Sequence, residues 1–300
     1  MESEIMTEKT NDRRSSAMLV TSMLIFGTIG VFRRQIPLPS AFLAFARGIL
    51  GGLFILVYVK VRNKSAGTGM PIPVLVRLAV TGALMGANWI LLFEAYNHTT
   101  VAVATLCYYM EPTIVVLLSP LIFKERLTGK RALCAAVSIA GMVLLSGVIG
   151  DSAGQGGDPR GILLGLGAAA LYSAVVIMNK MTPGIDAYQR TIVQLFSAGI
   201  TMLPYILLTD GFGSGGSLRG SSLVLLLVLG IVHTGIAYAL YFGSIDGLRV
   251  QSIAVLSYID PVSALLFSAL FLREPLSMTG IIGAVMIIGA AMISELQTTQ

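Results

Sequence analysis

The chain has 300 residues, of which 55% are hydrophobic and only 12% are charged, and its formal net charge is +5. A soluble domain carries about 25% charged residues because its surface faces water, so this composition excludes a water-soluble globular protein and indicates an integral membrane protein. The Lys and Arg residues lie between apolar runs rather than on one basic face, which argues against nucleic-acid binding. Cys107 and Cys134 lie inside apolar runs without nearby metal ligands, so we predict no disulfide, metal site or other cofactor.

Ten apolar runs are long enough to cross a membrane, because the hydrocarbon core requires about 20 residues of helix. In chain order the runs are 17–32, 40–59, 71–93, 99–123, 132–150, 161–178, 191–209, 221–243, 250–272 and 276–294. The first run follows Arg13 and Arg14, as in a signal peptide, but Arg33 and Arg34 come directly after it and no small-residue cleavage site appears. We therefore predict that the first span is retained and that the fold is an all-α membrane protein with ten transmembrane helices.

The basic residues in the connections predict the orientation of these spans. With the N-terminus inside, inner segments hold fourteen of the 20 Lys and Arg residues and outer segments hold five, while Arg47 lies within the second span. Basic residues are enriched on the cytoplasmic side of membrane proteins. We therefore expect a multi-pass protein of the inner (plasma) membrane, with cytoplasmic tails at 1–16 and 296–300.

The two halves of the chain resemble each other in sequence. With an offset of 149 positions, residues 86–127 align with residues 235–276, and 11 of the 42 pairs are identical. The polar matches are the informative ones, because apolar segments agree by chance. Tyr-x-Glu-Pro at 109–112 corresponds to Tyr-x-Asp-Pro at 258–261, so the sequence indicates an internal repeat.

Each repeat holds five spans, at 17–150 and 161–295. Because five is odd, the second repeat enters the membrane in the opposite sense to the first. Secondary transporters use inverted repeats to expose a central site to the two sides of the membrane in turn. The arrangement therefore predicts transport; the alternative is a gene duplication without mechanistic consequence.

These features resemble the drug/metabolite transporter superfamily, in its EamA-type branch, over about residues 17–294. The resembling features are the ten spans, the duplicated five-helix unit, Pro112 followed by Lys124-Glu125-Arg126-Leu127, and the copy Pro261 followed by Arg273-Glu274-Pro275-Leu276. The resemblance implies two helical bundles around a central cavity, usually for export of amino acids or other small metabolites. Arg47, in Ala-Arg-Gly-Ile-Leu, resembles the family's second-span arginine. The matching place in span seven holds Gln194 instead.

Three ionisable residues lie well inside predicted spans, where a charge costs at least ~2.5–3.5 kcal/mol and normally faces the protein interior. Glu111 and Asp260 occupy equivalent positions, and each precedes a proline, which removes a backbone hydrogen bond and loosens the helix. We predict that they bind substrate or carry coupling protons; the alternative is that they accept structural hydrogen bonds. For Arg47, one interpretation is that its planar guanidinium binds a substrate carboxylate, and the other is an ion pair with Glu111 or Asp260.

Polar and aromatic residues near these charges are candidate walls of a substrate site, with packing as the alternative. The candidates are Asn88, Trp89, Tyr108, Tyr109, Tyr238 and Tyr258. Aromatic faces would contribute directly if the solute were an organic cation. His233 in span eight is a candidate proton relay, the alternative being a hydrogen bond to a neighbour. We expect His98 to be solvated, and Glu125 and Glu274 to form ion pairs at span ends.

The prediction is a secondary transporter that moves a small polar metabolite, an amino acid or related amine or zwitterion, outward by alternating access. The alternatives are an uptake carrier or an exporter of drugs and organic cations; from other classes, a passive channel or an intramembrane enzyme. Neither His-Glu-x-x-His nor a P-loop occurs, which excludes a zinc protease and ATP-driven transport by this chain. Expected partners are a small-molecule substrate, membrane lipids and protons. A second copy of the chain, forming a homodimer, is an alternative that the sequence leaves undecided.

Overall fold

The computed structural model describes residues 2–62, 70–124, 127–145, 158–208, 220–245, 247–274 and 277–298, in which all regular structure is helical. The helices are α1 (Glu2–Gly27), α2 (Ile29–Arg34), α3 (Ser40–Val61), α4 (Ile72–His98), α5 (Val101–Tyr108), α6 (Glu111–Phe123), α7 (Gly129–Leu145), α8 (Pro159–Lys180), α9 (Ala187–Leu208), α10 (Gly220–Leu227), α11 (Ala237–Ile245), α12 (Val250–Ser257), α13 (Ile259–Phe271) and α14 (Met278–Thr298). A π-helical segment, Val228–Ile236, joins α10 to α11.

Nine helical stretches in the described part of the chain are long and apolar enough to span a membrane. They correspond to nine of the ten predicted spans. The remaining span, predicted at 132–150, falls on α7, of which 17 residues are described; residues 146–150 lie outside the described residues. Helix α1 begins at Glu2, so the segment predicted as a cytoplasmic tail, 1–16, is helical, and the first candidate span begins at Arg13. That segment contains neither proline nor glycine, so nothing in it ends the helix at the first apolar residue.

Spans four and nine are each broken into two helices at equivalent places. Span four breaks between α5 and α6, and span nine breaks between α12 and α13. Proline has no backbone N–H, so Pro112 and Pro261 cannot donate to the carbonyls of Tyr108 and Ser257, four residues earlier. Tyr108 ends α5 and Ser257 ends α12. The duplicated prolines therefore produce duplicated breaks.

The packing of the helices follows the internal repeat. Helix α1 packs on α11 as α8 packs on α4, and α3 packs on the π-helical segment as α9 packs on α4. Across the two halves, α3 packs on α9 and α7 packs on α14. Lys124 and Arg273, which are 149 positions apart, are the non-glycine residues with positive φ in the described ranges, at 55° and 54°. The fold is therefore two inverted five-helix repeats, as predicted.

Glycines allow the helices of the two halves to approach closely. A Cβ atom at Gly48 of α3 would lie 2.7 Å from the backbone nitrogen of Gly199 in α9. A Cβ atom at Gly141 of α7 would lie 2.8 Å from the carbonyl oxygen of Gly283 in α14. Small residues at crossing points are typical of membrane helices. Large apolar side chains such as Leu208 cover the outside of the bundle, as expected of a surface that faces lipid.

Candidate functional site

A cavity of about 470 Å³ lies between the two halves and has the size of a small-molecule site. Helices of both repeats line it, so its walls combine residues that are far apart in sequence. Eight of the nine predicted substrate-site residues line the cavity: Arg47, Trp89, Tyr108, Tyr109, Glu111, Tyr238, Tyr258 and Asp260. The two proline breaks therefore face one shared space.

Arg47 is 5% exposed and lines this cavity from α3. Its Nε donates to Thr234 Oγ1 at 2.8 Å, and its Cζ lies 4.3 Å from the Trp89 ring centroid. Neither terminal nitrogen of the guanidinium donates to a described residue. An arginine held by Nε and stacked on an indole presents its fork in a fixed orientation, which suits a carboxylate.

The predicted internal ion pair of Arg47 with Glu111 or Asp260 is absent among the described residues. The physical reason is that Thr234 and Trp89 hold the guanidinium. Thr234 lies in the π-helical segment, and a Cβ atom at Gly51 of α3 would lie 2.5 Å from its Cγ2. The lack of a side chain at Gly51 lets Thr234 come close enough to α3 to accept from Arg47.

Asp260 joins the two breaks. Its carboxylate oxygen Oδ2 accepts a hydrogen bond from the hydroxyl of Tyr109. Tyr109 lies at the break of span four, whereas Asp260 lies in the first turn of α13. The hydrogen bond therefore crosses from one repeat to the other inside the cavity.

Glu111 is bonded differently from Asp260. Its carbonyl oxygen accepts from Ser173 Oγ at 3.2 Å, but its carboxylate has no hydrogen-bond donor or ion-pair partner within the described ranges. Tyr258, which corresponds to Tyr109, donates to Glu295 Oε2 at 3.1 Å. Glu111, Tyr258 and Glu295 all line the cavity. The cavity thus holds three carboxylates and one guanidinium.

Glu295 is a cavity residue that the sequence analysis missed. It lies in the last turns of α14, just beyond the apolar run at 276–294, and so reads as the end of a span. The available signal is helical periodicity. Ala284, Ile287 and Ala291 are buried, and Glu295 continues the same spacing on the helix face.

Tyr172 and Phe26 are further cavity residues that were not predicted. The Tyr172 ring lies 5.5 Å from the Tyr108 ring, and the Phe26 ring lies 5.4 Å from the Tyr238 ring, measured between centroids. Phe26-Gly27 and Tyr172-Ser173 resemble each other in the two repeats, which was the signal that could have identified them. The aromatic side chains give the cavity apolar walls.

Two predicted residues do not line the cavity. Asn88 is fully buried and donates from Nδ2 to the Ala168 carbonyl at 2.5 Å, so it fastens α4 to α8. His233 is 2% exposed, with Nε2 2.8 Å from Thr28 Oγ1 and Nδ1 3.2 Å from the Val228 carbonyl. Both ring nitrogens have protein partners, which agrees with the alternative of hydrogen bonds to neighbours; the proton relay stays a prediction.

The charged residues at span ends have several partners. His98, predicted to be solvated, is partly exposed and lies 3.6 Å from Asp158, measured from Nδ1 to Oδ2. Glu125 lies outside the described residues. Glu274 forms an ion pair with Arg34, with 2.9 Å between Oε1 and Nη2.

The Arg34–Glu274 pair joins the two repeats at the membrane side where span one ends. Glu274 Oε2 also accepts from the Val101 backbone nitrogen at 2.8 Å and from Ser268 Oγ at 2.5 Å, while Arg34 donates to the Thr99 carbonyl at 3.0 Å. The cavity lining includes Glu295, near the opposite end of span ten, but none of these five residues. The pair therefore links the two repeats outside the cavity lining, on the side of the membrane where span one ends.

Comparisons with known proteins agree with this architecture. The profile of the EamA-like transporter family matches residues 14–147 and 159–295. The uncharacterized transporter YxxF of Bacillus subtilis is 28% identical over 87% of this chain and 84% of its own length. Protein PecM of Dickeya dadantii is 29% identical over 75% of each chain. A crystal structure with 23% identity superposes with a TM-score of 0.64 over 92% of this chain and 94% of the other, which shows a shared fold.

Proposed function

Because this chain belongs to the EamA-like transporter family and is a multi-pass membrane transporter, we propose that it moves a small zwitterion, an amino acid or a related amine-bearing metabolite. The proposed direction is outward across the inner membrane, by alternating access, with both termini in the cytoplasm. Homologues named as transporters support transport rather than an enzymatic reaction. The substrate class is argued from the cavity itself.

The observation that carries the proposal is that Arg47 is buried at the cavity while its two terminal nitrogens have no acceptor among the described residues. It is 5% exposed, its Nε is occupied by Thr234, and both terminal nitrogens are without an acceptor in the described part of the chain. A buried cation requires a compensating anion or hydrogen-bond acceptors. A carboxylate on the solute supplies both, because it accepts two parallel hydrogen bonds from the guanidinium fork.

The other charges of the cavity favour a cationic group on the same solute. Glu111 and Asp260 line the cavity with Arg47, and the carboxylate of Glu111 has no donor among the described residues. An ammonium group near Glu111 would supply that donor, and the faces of Tyr108 and Tyr172 attract cations. A molecule that carries both charges satisfies both ends of the site, whereas a pure anion or pure cation satisfies one.

We infer that the Arg34–Glu274 pair closes one side of the cavity, which supports alternating access rather than a passive channel. Arg34, Glu274 and the Val101 backbone form one hydrogen-bonded group across the two repeats. A solute that enters the cavity from the other side cannot pass this group until the repeats move apart. Rocking of inverted repeats around a central site provides such a movement. Glu111 and Asp260 are the proposed sites at which this movement is coupled to protons.

Counterflow in liposomes tests the substrate class. We would compare a labelled zwitterionic amino acid with its methyl ester, which lacks the carboxylate, in the parent protein and in Arg47→Ala. Arg47→Ala is expected to reduce zwitterion counterflow by about tenfold to a hundredfold, the effect of losing a charge-assisted hydrogen bond of about 1.5–3 kcal/mol. Methyl ester counterflow is expected to change by less than about threefold, because the ester does not use the guanidinium fork.

Arg160→Ala is the matched control, because Arg160 is an exposed arginine outside the cavity. It should leave counterflow of both solutes at the parent level. Equal loss of both solutes in Arg47→Ala would contradict carboxylate recognition and indicate a structural role for Arg47. Absence of counterflow for every amino acid and amine tested on the parent protein would contradict the proposed substrate class.

A further inference from the structure

The two tyrosines of the duplicated motif donate to carboxylates at non-equivalent positions. Tyr109 donates to Asp260, the carboxylate of the other break. If the repeats had identical conformations, Tyr258 would donate to Glu111 in the same way. Tyr258 instead donates to Glu295, in the last turns of α14, at 3.1 Å. The difference marks a place where the two repeats hold different conformations of one motif.

Inverted repeats provide a rule for the second state of a transporter. Alternating access moves one repeat against the other around a fixed site, and because the repeats are inverted, an exchange of their present conformations would open the site to the other side. Applied to these motifs, the exchange gives Tyr258 the acceptor Glu111 and removes Asp260 from Tyr109. The rule uses only the equivalence of the two breaks and the inverted topology.

We infer that Glu295 is a further functional carboxylate of the transport site, which holds Tyr258 away from Glu111 in this state and releases it to Glu111 in the other. The inference rests on the alternating access proposed above. Three observations support it: Glu295 and Glu111 line the same cavity, Tyr258 is bonded to one of them, and the other has no donor within the described ranges.

The burial of Tyr258 explains why it must exchange acceptors. The residue is 6% exposed, and a buried hydroxyl without an acceptor is unfavourable. Tyr258 can leave Glu295 readily only if another acceptor replaces it. Glu295 can lose the hydrogen bond more easily, because it is exposed and water can replace the phenol.

The exchange also determines which carboxylate is open to a cation. In the present state Tyr109 occupies Asp260, whereas Glu111 is open. In the exchanged state Tyr258 occupies Glu111, Tyr109 donates to water in the cavity, and Asp260 is open. A cationic group of the solute would therefore meet Glu111 from one side of the membrane and Asp260 from the other. In each state, therefore, one of the two carboxylates, Glu111 or Asp260, has no tyrosine donor and can bind a cationic group in the cavity.

The test measures the balance between the two states without any solute. In a parent that carries Cys107→Ala and Cys134→Ala, Val176→Cys places one thiol in the cavity wall. A membrane-impermeant thiol reagent is applied to intact cells and to inverted membrane vesicles. The ratio of the two labelling rates reports how often the cavity is open to each side.

Glu295→Met and Glu111→Met remove one acceptor each while keeping the length of the side chain. Glu295→Met should shift the labelling ratio by about tenfold towards the side that is closed in the structure, because a hydrogen bond to a charged group contributes that much or more. Glu111→Met should shift the ratio in the opposite direction. Adding Tyr258→Phe should cancel both shifts, because both depend on the same hydroxyl.

Tyr58→Phe is the control, because Tyr58 lies outside the cavity lining and packs against Tyr188; it should leave the ratio unchanged. Shifts in the same direction, or shifts that persist with Tyr258→Phe, would overturn the inference. If Glu295→Met does not fold, Glu295→Gln weakens the same hydrogen bond and should give a smaller shift of the same sign. Counterflow is measured on the same preparations: its absence, with a ratio that no variant moves, would contradict alternating access itself.

Discussion

The break in span four and the break in span nine have the same sequence pattern and the same proline, but their hydrogen bonds differ. At the first break Tyr109 reaches across to Asp260 of the other repeat, and at the second Tyr258 reaches Glu295 of its own repeat. The motif therefore determines where the helix breaks, whereas residues outside the motif determine which bonds the break forms. Duplicated sequence gives duplicated geometry, and the differences carry information about the conformational state.

Spans two and seven show the same contrast. In span seven, Gln194 Nε2 donates to Thr81 Oγ1 at 2.8 Å and to Asn179 Oδ1 at 2.7 Å, so both amide hydrogens have acceptors. In span two, Arg47 occupies the corresponding place, and only its Nε has an acceptor among the described residues. One repeat therefore fills this position with internal hydrogen bonds, and the other presents a cation to the cavity.

The largest expected effect comes from fixing the closed side. Arg34→Cys with Glu274→Cys, in a background without Cys107 and Cys134, places two thiols where an ion pair joins the repeats. A short bifunctional thiol reagent should abolish counterflow, because the two repeats could then no longer separate at this side. Each single cysteine variant should respond little to the reagent.

A matched crosslink within one repeat is the control for that experiment. Arg190, in the first turn of α9, donates to the carbonyl of Thr182, which lies just after α8, at 2.9 Å. Crosslinking Arg190→Cys to Thr182→Cys should leave counterflow close to the parent level. Undiminished counterflow in the crosslinked Arg34–Glu274 variant would show that this side does not open during transport.

The next largest effect is expected on flux driven by a pH gradient, when the carboxylates beside the two helix breaks, Glu111 and Asp260, are replaced. Glu111→Gln and Asp260→Asn replace groups that can bind a proton by amides that cannot. Each should remove flux driven by a pH gradient while leaving part of the counterflow, because exchange of labelled solute needs no net proton movement. The measurement is solute flux with and without the gradient, and Glu94→Gln, which lies outside the cavity lining, is the control. Parent-level gradient-driven flux in both variants would refute proton coupling through these residues.

Restoring the helix at each break should have a smaller effect. Alanine at position 112 or 261 has the backbone N–H that proline lacks and can extend the helix towards its preceding turn. Proline inside a helix costs ~3 kcal/mol, and if about half of this resists the transport movement, Pro112→Ala and Pro261→Ala should each slow counterflow by about tenfold. The apparent melting temperature in detergent should rise. A large effect from only one of the two variants would show that the breaks are not equivalent.

Much of this fold could be predicted from the sequence, because the relevant signals are local or repeated. The length of each apolar run predicts a span, the 149-residue offset predicts the repeat, and the matched acid-proline pairs at 111–112 and 260–261 predict loosened helices where the structure has breaks. Arg47, Glu111 and Asp260 were identified because a charge in an apolar run is costly. All three lie at the cavity.

The remainder depends on tertiary packing. The π-helical turn that carries Thr234 has no local sequence signature, and the close contact of Thr234 with α3 at Gly51 is a tertiary one. Asn88 has the same residue type and placement as a site residue, but the Ala168 carbonyl of another helix accepts its hydrogen bond. Glu295 lies at a span end, where a charge costs little, so charge alone did not identify it.

The smallest expected effect is a difference in apparent melting temperature between Tyr109→Phe and Tyr258→Phe. Tyr109 donates to Asp260, which is partly buried in the cavity wall, whereas Tyr258 donates to Glu295, which is exposed. Losing a hydrogen bond to a charged group costs about 1.5–3 kcal/mol when no other donor replaces it. Tyr109→Phe should therefore lower the apparent melting temperature by a few degrees. Tyr258→Phe should lower it less, because water can donate to Glu295, and Tyr58→Phe is the control for loss of a hydroxyl outside the cavity. A larger decrease for Tyr258→Phe than for Tyr109→Phe would mean that the bond within one repeat, rather than the bond between the repeats, holds this state together.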